Sequence, residues 1–390
     1  YNGVMQTIPI VYTYTELSPT NRPLFLASVS SVLRNLPDVA IYILYHGESD
    51  ENLMSWLTKR KVKIIRHSIV WLEDIEKLRL LSKKDSTHLS SSQGSWFGTW
   101  QRIDVPLYIS GKYCLFLDSD TIIVRPFSMS ELLLNFSSSI AMSTEALYES
   151  RSELNAGVIL MNLERLRESY SSFMKFIKTS DTTGLLNESA PGDQGAYLTF
   201  YSGDINFLPI YMNFKPYWPV SYFADQNPAI IHFHGAKPHD YLKACLGSPC
   251  SNPIQFLCNQ VNITTISLRN SLIMLYMNSD KDILSSYCET FFNDLKERDY
   301  CKIFLLTIKR RSKICLDETV FHSRNETKEK SKVQFIDKSP HNISTSSFKK
   351  KGSTILSYSE LIKLDMVMLS VFYAYFFCCL KVQKRKRRLS

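Results

Sequence analysis

Two hydrophobic periodicities alternate along the first 240 residues of the chain. Short runs rich in β-branched and aromatic residues predict strands at 8–15, 40–45, 62–67, 112–118, 138–143 and 156–162. Between several of these runs, apolar residues recur at helical spacing, which predicts helices over 21–36, 52–59 and 99–109. Strands separated by helices favour an α/β fold with a mainly parallel central sheet flanked by helices. In such folds, ligands bind at the carboxyl ends of the strands.

The composition is that of a folded protein with extensions. The chain has 390 residues, of which 44% are hydrophobic and 21% charged, enough for one large enzyme domain with appendages. Its net charge of +9 is unevenly distributed, because residues 309–365 contribute +6 and residues 381–390 another +6. Residues 1–308 therefore carry a net charge of −3. This negative net charge argues against nucleic-acid binding by residues 1–308.

The C-terminal region predicts a membrane attachment. Residues 366–380 contain no charged residue and are followed directly by KVQKRKRR. As a helix this stretch would be roughly 22 Å long, against a bilayer core of about 30 Å, so a membrane span, an interfacial helix and a helix packed on the body are all open. We expect a span over 366–382 with a basic cytosolic tail at 383–390. The composition of the preceding residues 316–365, rich in Ser, Lys, Thr and Glu, predicts a disordered stalk.

Six of the nine cysteines cluster in one segment, at Cys245, Cys250, Cys258, Cys288, Cys301 and Cys315. Without a CxxC pair or a histidine at zinc spacing, this even number favours three disulfides over a metal site. The alternative is a set of unpaired thiols in a cytosolic protein. N-glycosylation sequons agree with the first interpretation; they start at Asn135, Asn187, Asn262, Asn325 and Asn342. We therefore expect a cysteine-rich extension over 245–315 and a body in the lumen of the Golgi or endoplasmic reticulum.

The strongest local signal is LFLDSDTIIV, in which an apolar strand ends at Asp118-Ser119-Asp120. Two carboxylates at the end of a buried strand need a cation, and they suit a divalent metal with open positions for phosphate oxygens. The plain alternative is a solvated turn. DSDT also fits the DxDxT motif of haloacid-dehalogenase-type phosphatases, but that motif normally lies on the first strand, and 192–196 lacks the second acid expected downstream. A dinucleotide site is unsupported because no GxGxxG occurs.

A second polar cluster, HFHGAKP at 232–238, follows the apolar run AII. It places His232, His234 and Lys237 at the end of another strand. Imidazole is a borderline metal ligand and lysine a point-charge phosphate binder, which is the pair that a metal–diphosphate complex needs. Alone this segment reads as a surface loop, but beside the two aspartates it completes a site. The spacing does not choose between His232 and His234 as the ligand.

These segments together resemble glycosyltransferase family 8, the retaining transferases that include glycogenin and the bacterial lipooligosaccharide galactosyltransferases. The resemblance covers about residues 8–242 and consists of VYTYT, RIDVPLY, LDSDT with VRPF, NAGVILMNL, GDQG and HFHGAKP, in the family's order. It implies a GT-A-type nucleotide-diphospho-sugar transferase fold for a catalytic domain over 1–244. The chain departs from the family after Gly235, where the spacing to Lys237 is one residue shorter than usual and the Trp is missing.

The resemblance also implies roles for ten residues. A metal cofactor, Mn²⁺ or Mg²⁺, would be bound by Asp118, Asp120 and His232. The nucleotide part of the donor would be bound by Thr13, Tyr14, Arg102 and Lys237, with Lys237 at the diphosphate. The donor sugar would be held at the catalytic centre by Asn155, Asp193 and Gln194.

The sequence therefore predicts a membrane-tethered, Mn²⁺-dependent retaining glycosyltransferase. It would move a hexosyl or pentosyl group from a nucleotide sugar, a UDP-sugar, to a glycan or protein acceptor. The alternative from another class is a catalytically silent protein of the same fold that binds glycans or a protein partner. The intact set of Asp118, Asp120, His232 and Lys237 favours the enzyme.

Overall fold

The structure, a computed structural model, describes residues 8–18, 21–48, 50–73, 95–145, 154–183, 192–216, 218, 227–235 and 237. All of them lie in one compact unit, Tyr1–Arg298. The predicted cysteine-rich extension, stalk, membrane segment and basic tail lie outside the described residues and stay predictions. Within the described part, no helix is both long and apolar enough to cross a membrane.

The described residues contain nine strands, β1 (Ile10–Thr15), β2 (Ile41–His46), β3 (Lys63–Arg66), β4 (Tyr113–Leu117), β5 (Thr121–Ile123), β6 (Ile140–Thr144), β7 (Leu154–Asn162), β8 (Ile205–Phe207) and β9 (Ile230–His232). Seven form one sheet in the order β3-β2-β1-β4-β7-β6-β8, and β5 pairs with β9 in a second, two-stranded sheet. Within the large sheet, β7 pairs antiparallel with β4 and β6, whereas the other pairs are parallel. The predicted mainly parallel sheet is thus confirmed.

Helices connect the strands and complete the α/β fold. They are α1 (Arg22–Asn35), α2 (Glu51–Lys59), α3 (Ser95–Gln101), α4 (Val105–Tyr108), α5 (Met129–Leu133), α6 (Leu163–Thr183) and α7 (Gly192–Phe200), with 3₁₀ turns at Arg102–Asp104 and Ile210–Met212. Local chemistry explains several boundaries. Pro23 lies in the first turn of α1, where its missing N–H is not needed. Asp50 caps α2 by accepting a hydrogen bond from the backbone N–H of Leu53.

The predicted helix over 99–109 is instead broken into three short pieces. α3 ends at Gln101, a 3₁₀ turn covers Arg102–Asp104, and α4 begins at Val105. Pro106 explains the break because it has no N–H to donate to the carbonyl of Arg102, four residues earlier. That carbonyl accepts instead from the N–H of Val105. The turn carries Arg102 into the interior, where only 2% of the residue is exposed.

A buried carboxylate holds this turn in place. Asp104 accepts hydrogen bonds from Trp71 Nε1 at 2.9 Å and from the Tyr170 hydroxyl at 2.6 Å. Its other oxygen lies 2.9 Å from His67 Nε2, and the Nδ1 of that ring lies 3.2 Å from the amide nitrogen of Gln101. Because an amide nitrogen only donates, Nε2 of His67 carries the proton and donates to Asp104. The turn that contains Arg102 is therefore tied to two separate parts of the chain, the segment with His67 and Trp71 and the helix α6 with Tyr170.

The small sheet brings distant parts of the chain together. In the β5–β9 pair, Thr121 lies opposite His232. β5 is also anchored to α1, since Ile123 N donates to Ser31 Oγ at 2.9 Å and Ile123 O accepts from Asn35 Nδ2 at 2.7 Å. Because β5 directly follows Asp118-Ser119-Asp120, this pairing brings the end of β9 beside those aspartates.

Candidate active site

The turn after β4 presents two carboxylates at the carboxyl edge of the large sheet. Asp118 N donates to Gly157 O at 2.8 Å, which continues the pairing of β4 with β7. The carbonyl of Asp118 then accepts from both the N–H and the hydroxyl of Thr121, at 3.2 and 2.8 Å. These bonds determine the path of the turn and with it the positions of the Asp118 and Asp120 side chains.

His232 lies beside these two carboxylates. Phe233 N donates to Asp120 O at 3.0 Å, which extends the β5–β9 pairing past His232. The ring nitrogen Nε2 of His232 lies 3.2 Å from Asp120 Oδ1 and 3.9 Å from Asp118 Oδ2. One possible ligand atom from each of the three residues lies within 4.8 Å of the others. The side chain of His232 is almost fully buried, at 1% exposed.

The second histidine of the HFH sequence faces a different partner. His234 Nδ1 lies 2.9 Å from Glu145 Oε1, and 44% of its side chain is exposed. Of the two histidines, the structure therefore brings His232 to the aspartates.

The donor set fits a divalent cation. Among the described residues, the buried Oδ1 of Asp120 has no hydrogen-bond partner. Two carboxylates and one imidazole are ligands that Mn²⁺ accepts readily. A cation at this point would satisfy both the unpartnered oxygen and the nearby imidazole nitrogen, so the residues present suit the metal that the sequence predicts.

The charges around the aspartates are strongly coupled. Lys237 Nζ donates to Asp120 Oδ2 and to the carbonyl of Phe233, the latter at 3.0 Å. Burial would raise the pKa of Asp120, but the ammonium of Lys237 holds it well below its usual range. Burial raises the pKa of Asp118 to about 6. Burial lowers the pKa of His232 to about 4, so its ring is neutral at pH 7. At pH 7 the site therefore offers two carboxylates and a neutral imidazole.

Arg102 is a buried cation behind the aspartates. Its Nη2 donates to Asp118 Oδ1 at 2.8 Å, and its Nε lies 2.9 Å from Asp193 Oδ2. It also donates to the carbonyl of Ala156 and lies over the ring of Phe116 at 4.6 Å. Burial alone would lower the pKa of Arg102, but Asp118 and Asp193 outweigh it and raise the pKa. The guanidinium thus links the predicted metal side of the site to the predicted sugar side.

The predicted sugar-binding residues lie on β7 and at the start of α7. Gln194 Oε1 accepts from Ala156 N at 3.0 Å and lies 3.4 Å from Asn155 Nδ2. Asp193 lies in the first turn of α7, where negative charge is favourable. Both Asn155 and Asp193 are buried, at 2% and 4% exposed.

All ten predicted residues line one cleft of about 600 Å³. Thr13 and Tyr14, from the carboxyl-terminal half of β1, form another part of its wall. Thr13 Oγ1 donates to Gly98 O at 2.7 Å, and Tyr14 stacks against Tyr45 with ring centroids 5.8 Å apart. The structure therefore brings together residues that are spread over more than half of the chain.

Residues 22–242 match the sequence profile of the family described as glycosyl transferase family 8. The chain belongs to this family. The match confirms the resemblance drawn from the sequence motifs and the predicted enzyme class, that of the glycosyltransferases. A comparison with curated proteins finds no match.

Several solved glycosyltransferase structures are similar to this family 8 chain. GlyE of Streptococcus pneumoniae TIGR4 is 18% identical, with a TM-score of 0.43 over 60% of this chain and 56% of its own. The galactosyltransferase LgtC, solved with donor and acceptor sugar analogs, is 18% identical, with a TM-score of 0.43 over 68% and 100%. Mouse xyloside xylosyltransferase 1 is 16% identical, with a TM-score of 0.41 over 59% and 98%. The chain thus spans little more than half the length of GlyE.

Four further residues shape the site of this family 8 protein, and the motifs did not predict them: Glu145, Gly157, Asn213 and Lys215. A Cβ atom on Gly157 would lie 2.0 Å from Cε1 of His232, so a side chain has no room there. The sequence did contain a signal for Gly157, since a glycine inside a strand often marks a place where another group packs close to the backbone. Asn213 contacts the His232 ring at 3.0 Å, but it lies outside every motif.

Replacing the buried arginine should destabilise the fold. In Arg102→Met, Asp118 and Asp193 would remain in a largely buried region without their shared cation. We expect the free energy of unfolding in urea to fall by about 3–5 kcal/mol. Arg165→Met is the matched control, because Arg165 pairs with Asp204 at an exposed position and should contribute less than about 1 kcal/mol. Equal losses in the two variants would contradict the buried role of Arg102.

The buried Lys215 predicts how the stability of the fold depends on pH. Burial lowers the pKa of Lys215 to about 7, against the opposing effects of Glu145 and Asp120. Since the unfolded chain holds this proton up to about pH 10.5, the folded protein should gain stability as pH rises from about 7 to 10.5. Lys215→Met should therefore be more stable than wild type at pH 6–7, on the order of 1–3 kcal/mol, with the difference shrinking by pH 10.

Thermal unfolding at several pH values measures this difference. The exposed Lys59 provides the matched control, and Lys59→Met should change stability by less than about 0.5 kcal/mol at every pH. A Lys215→Met variant that is less stable than wild type at pH 6 would show that the ammonium stabilises the fold.

Proposed function

We propose that the protein is a divalent-metal-dependent, retaining glycosyltransferase. It would move a hexosyl or pentosyl group from a nucleotide diphosphate sugar, a UDP-sugar, to a glycan or protein acceptor. One observation carries the proposal: Asp118, Asp120 and His232 converge in a single cleft with Lys237 at their side. Membership of family 8 supports the transfer of sugar and the retention of configuration at the anomeric carbon.

The chemistry explains why these residue types are needed. Breaking the bond between a sugar and a nucleotide diphosphate develops negative charge on the leaving oxygen and positive charge on the anomeric carbon. Mn²⁺ held by Asp118, Asp120 and His232 would act as a Lewis acid towards the diphosphate. Lys237 adds a second positive charge beside Asp120, suited to a phosphate oxygen.

The opposite wall of the cleft would bind and orient the donor sugar. Asp193 and Gln194 belong to the first turn of α7, and Gln194 is held by the backbone of β7. Carboxylate and amide oxygens here would orient the sugar hydroxyls and face its positively charged carbon. Arg102 keeps Asp118 and Asp193 at a set separation, so both walls are positioned by one buried side chain.

A donor panel tests this function on the full chain. We expect one or more radiolabelled UDP-sugars to be hydrolysed slowly without an acceptor, in the presence of Mn²⁺. EDTA should abolish the hydrolysis and added Mn²⁺ restore it. If UDP binds but no sugar is released, a silent binding protein is the better interpretation. If UDP does not bind even with Mn²⁺, the proposed UDP-sugar donor is wrong.

We also propose a luminal location with attachment to the membrane through residues 366–382. The cysteine cluster and the sequons support it, as does the exposed position of Asn135, the one sequon asparagine among the described residues. N-glycosidase treatment of the expressed protein should increase its mobility, and protease added to intact vesicles should remove only the basic tail. A body that is digested in intact vesicles and carries no glycan would place the enzyme in the cytosol.

A further inference from the structure

A chain of buried amide groups runs from the backbone of β7 to the ring of His232. Its first link is Asn155, whose Oδ1 lies 3.0 Å from the backbone nitrogen of Gly157. A backbone N–H only donates, so this atom of Asn155 must be the oxygen. The other side-chain atom of Asn155 supports the same orientation, because this atom, Nδ2, lies 2.6 Å from the carboxylate oxygen Oε2 of Glu145, which only accepts. The orientation of the Asn155 amide is therefore determined.

The second link is Asn213, which is fully buried. One of its side-chain atoms lies 2.9 Å from Asn155 Oδ1. Because that oxygen only accepts, the Asn213 atom must be the amide nitrogen Nδ2. The oxygen Oδ1 of Asn213 then faces Nδ1 of His232, at 3.0 Å. Asn213 therefore presents an acceptor to the ring.

The last link is the imidazole itself. Since Asn213 Oδ1 only accepts, Nδ1 of His232 must carry a proton, and this holds whether or not the other nitrogen is protonated. In the neutral ring, Nε2 then has a lone pair directed to the side where Asp120 Oδ1 lies 3.2 Å away. Two acceptor atoms that face each other at this distance, an imidazole nitrogen and a carboxylate oxygen, suit a shared metal ion.

The backbone keeps Asn213 in register with His232. The N–H of Phe214, the next residue, donates to Ile230 O at 3.0 Å, and the N–H of His232 donates to Phe214 O at 2.8 Å. Asn213 and His232 are thus held to each other by main-chain bonds as well as by the side-chain contact. The main-chain pairing keeps the two backbones adjacent, and the side-chain contact at 3.0 Å places the amide beside the ring.

We propose that Asn213 and Asn155 are positioning residues that hold His232 as the tautomer protonated on Nδ1, with Nε2 directed to the metal side. This inference rests on the proposed function for the role of His232 as a metal ligand. It also gives Asn155 a role apart from direct contact with sugar, because its Oδ1 accepts from Gly157 and Asn213 while its Nδ2 donates to Glu145.

The tautomer can be measured without any metal. In the full chain labelled with ¹⁵N-histidine, long-range ¹H–¹⁵N spectra separate protonated from unprotonated ring nitrogens, and His232→Gln assigns the signals by their loss. We expect Nδ1 of His232 to be protonated at pH 7, because Asn213 Oδ1 only accepts. A wild-type ring unprotonated on Nδ1, or an even mixture of both neutral tautomers, would overturn the inference regardless of how any variant folds.

Two variants of Asn213 test its role through metal binding. Asn213→Leu removes the acceptor at similar volume, so the His232 tautomers should mix and the affinity for Mn²⁺, measured by calorimetry, should fall about 10- to 100-fold. Asn213→Asp keeps the acceptor that faces Nδ1 but loses the donor to Asn155 Oδ1, so it should retain the tautomer. The control is Asn206→Leu, which removes an amide that accepts from Ser137 N and Ser138 N but lies in β8. It should change neither readout.

The outcomes separate this inference from the proposed function. If wild type shows the expected tautomer but does not bind Mn²⁺, the metal part of the proposed function fails and the positioning inference stands. If Mn²⁺ binds equally well to wild type and a folded Asn213→Leu, or if Asn206→Leu loses as much affinity, the positioning role is wrong and the metal site stands.

Discussion

Asp120→Asn is expected to reduce sugar transfer by roughly 1,000-fold while the protein stays folded. Both oxygens of the Asp120 carboxylate have a neighbour in the site. Oδ1 faces His232 Nε2, and Oδ2 accepts a hydrogen bond from Lys237. An amide of the same size removes the negative charge that Lys237 and a bound metal ion need. Departure of the diphosphate then loses part of its counter-charge, which acts directly on the barrier of the reaction.

Transfer or donor hydrolysis in the presence of Mn²⁺ measures this effect, with circular dichroism to show that the variant is folded. Asp38→Asn provides the same chemical change at an exposed position outside the cleft, and it should keep wild-type activity. An Asp120→Asn variant with more than about a tenth of the activity has lost only about 1.4 kcal/mol in the barrier. That result would show that the carboxylate does not bind an essential metal.

Gly157→Ala is expected to displace His232 and so to lower the affinity for Mn²⁺ at least about 100-fold. The added Cβ would lie 2.0 Å from Cε1, 2.4 Å from Nδ1 and 2.7 Å from Nε2 of the ring. The ring is 1% exposed and is held by Asn213, so it has little space into which to move. Overpacking of this kind also destabilises a protein by about 1–3 kcal/mol.

Gly203→Ala is the matched control for this variant. No atom lies within 4 Å of the Cβ position at Gly203, and the substitution there should leave both the melting temperature and the affinity for Mn²⁺ near wild type. Calorimetric titration with Mn²⁺ and thermal unfolding give the two readouts. Wild-type metal affinity in Gly157→Ala would mean that the position of the His232 ring does not matter for the metal.

Hydrophobic periodicity predicts the architecture of this chain well because long strands leave a clear pattern. The runs at 112–118 and 156–162 correspond to β4 (Tyr113–Leu117) and β7 (Leu154–Asn162), whose residues are buried on both faces of the sheet. β5 and β8 were not predicted, because three residues are too few to show a period. The equally short β9 was predicted only from the apolar run AII before His232. The break in the helix at 99–109 depends on one proline, whose effect a periodic pattern does not register.

The candidate site is partly predictable for a similar reason. Polar side chains at strand ends, such as Asp118, Asp120 and His232, stand out against apolar neighbours, and the topology then brings strand ends together. Asn213 gives no such signal, because it lies in a loop rich in aromatic and polar residues and acts only through the residue that it contacts. Its role depends on hydrogen-bond directions, which a sequence does not contain.

The pairing of Thr121 with His232 has a consequence for folding. The two residues are more than 100 positions apart in the chain, yet their three-residue strands join the two halves of the candidate metal site. A chain synthesised from its N-terminus would complete all seven strands of the large sheet before β9 exists. The imidazole of His232 and the ammonium of Lys237 would therefore arrive last, at aspartates already in position. A protein truncated before Ile230 would keep every residue of the large sheet but lack one of the three predicted metal ligands and the lysine beside them.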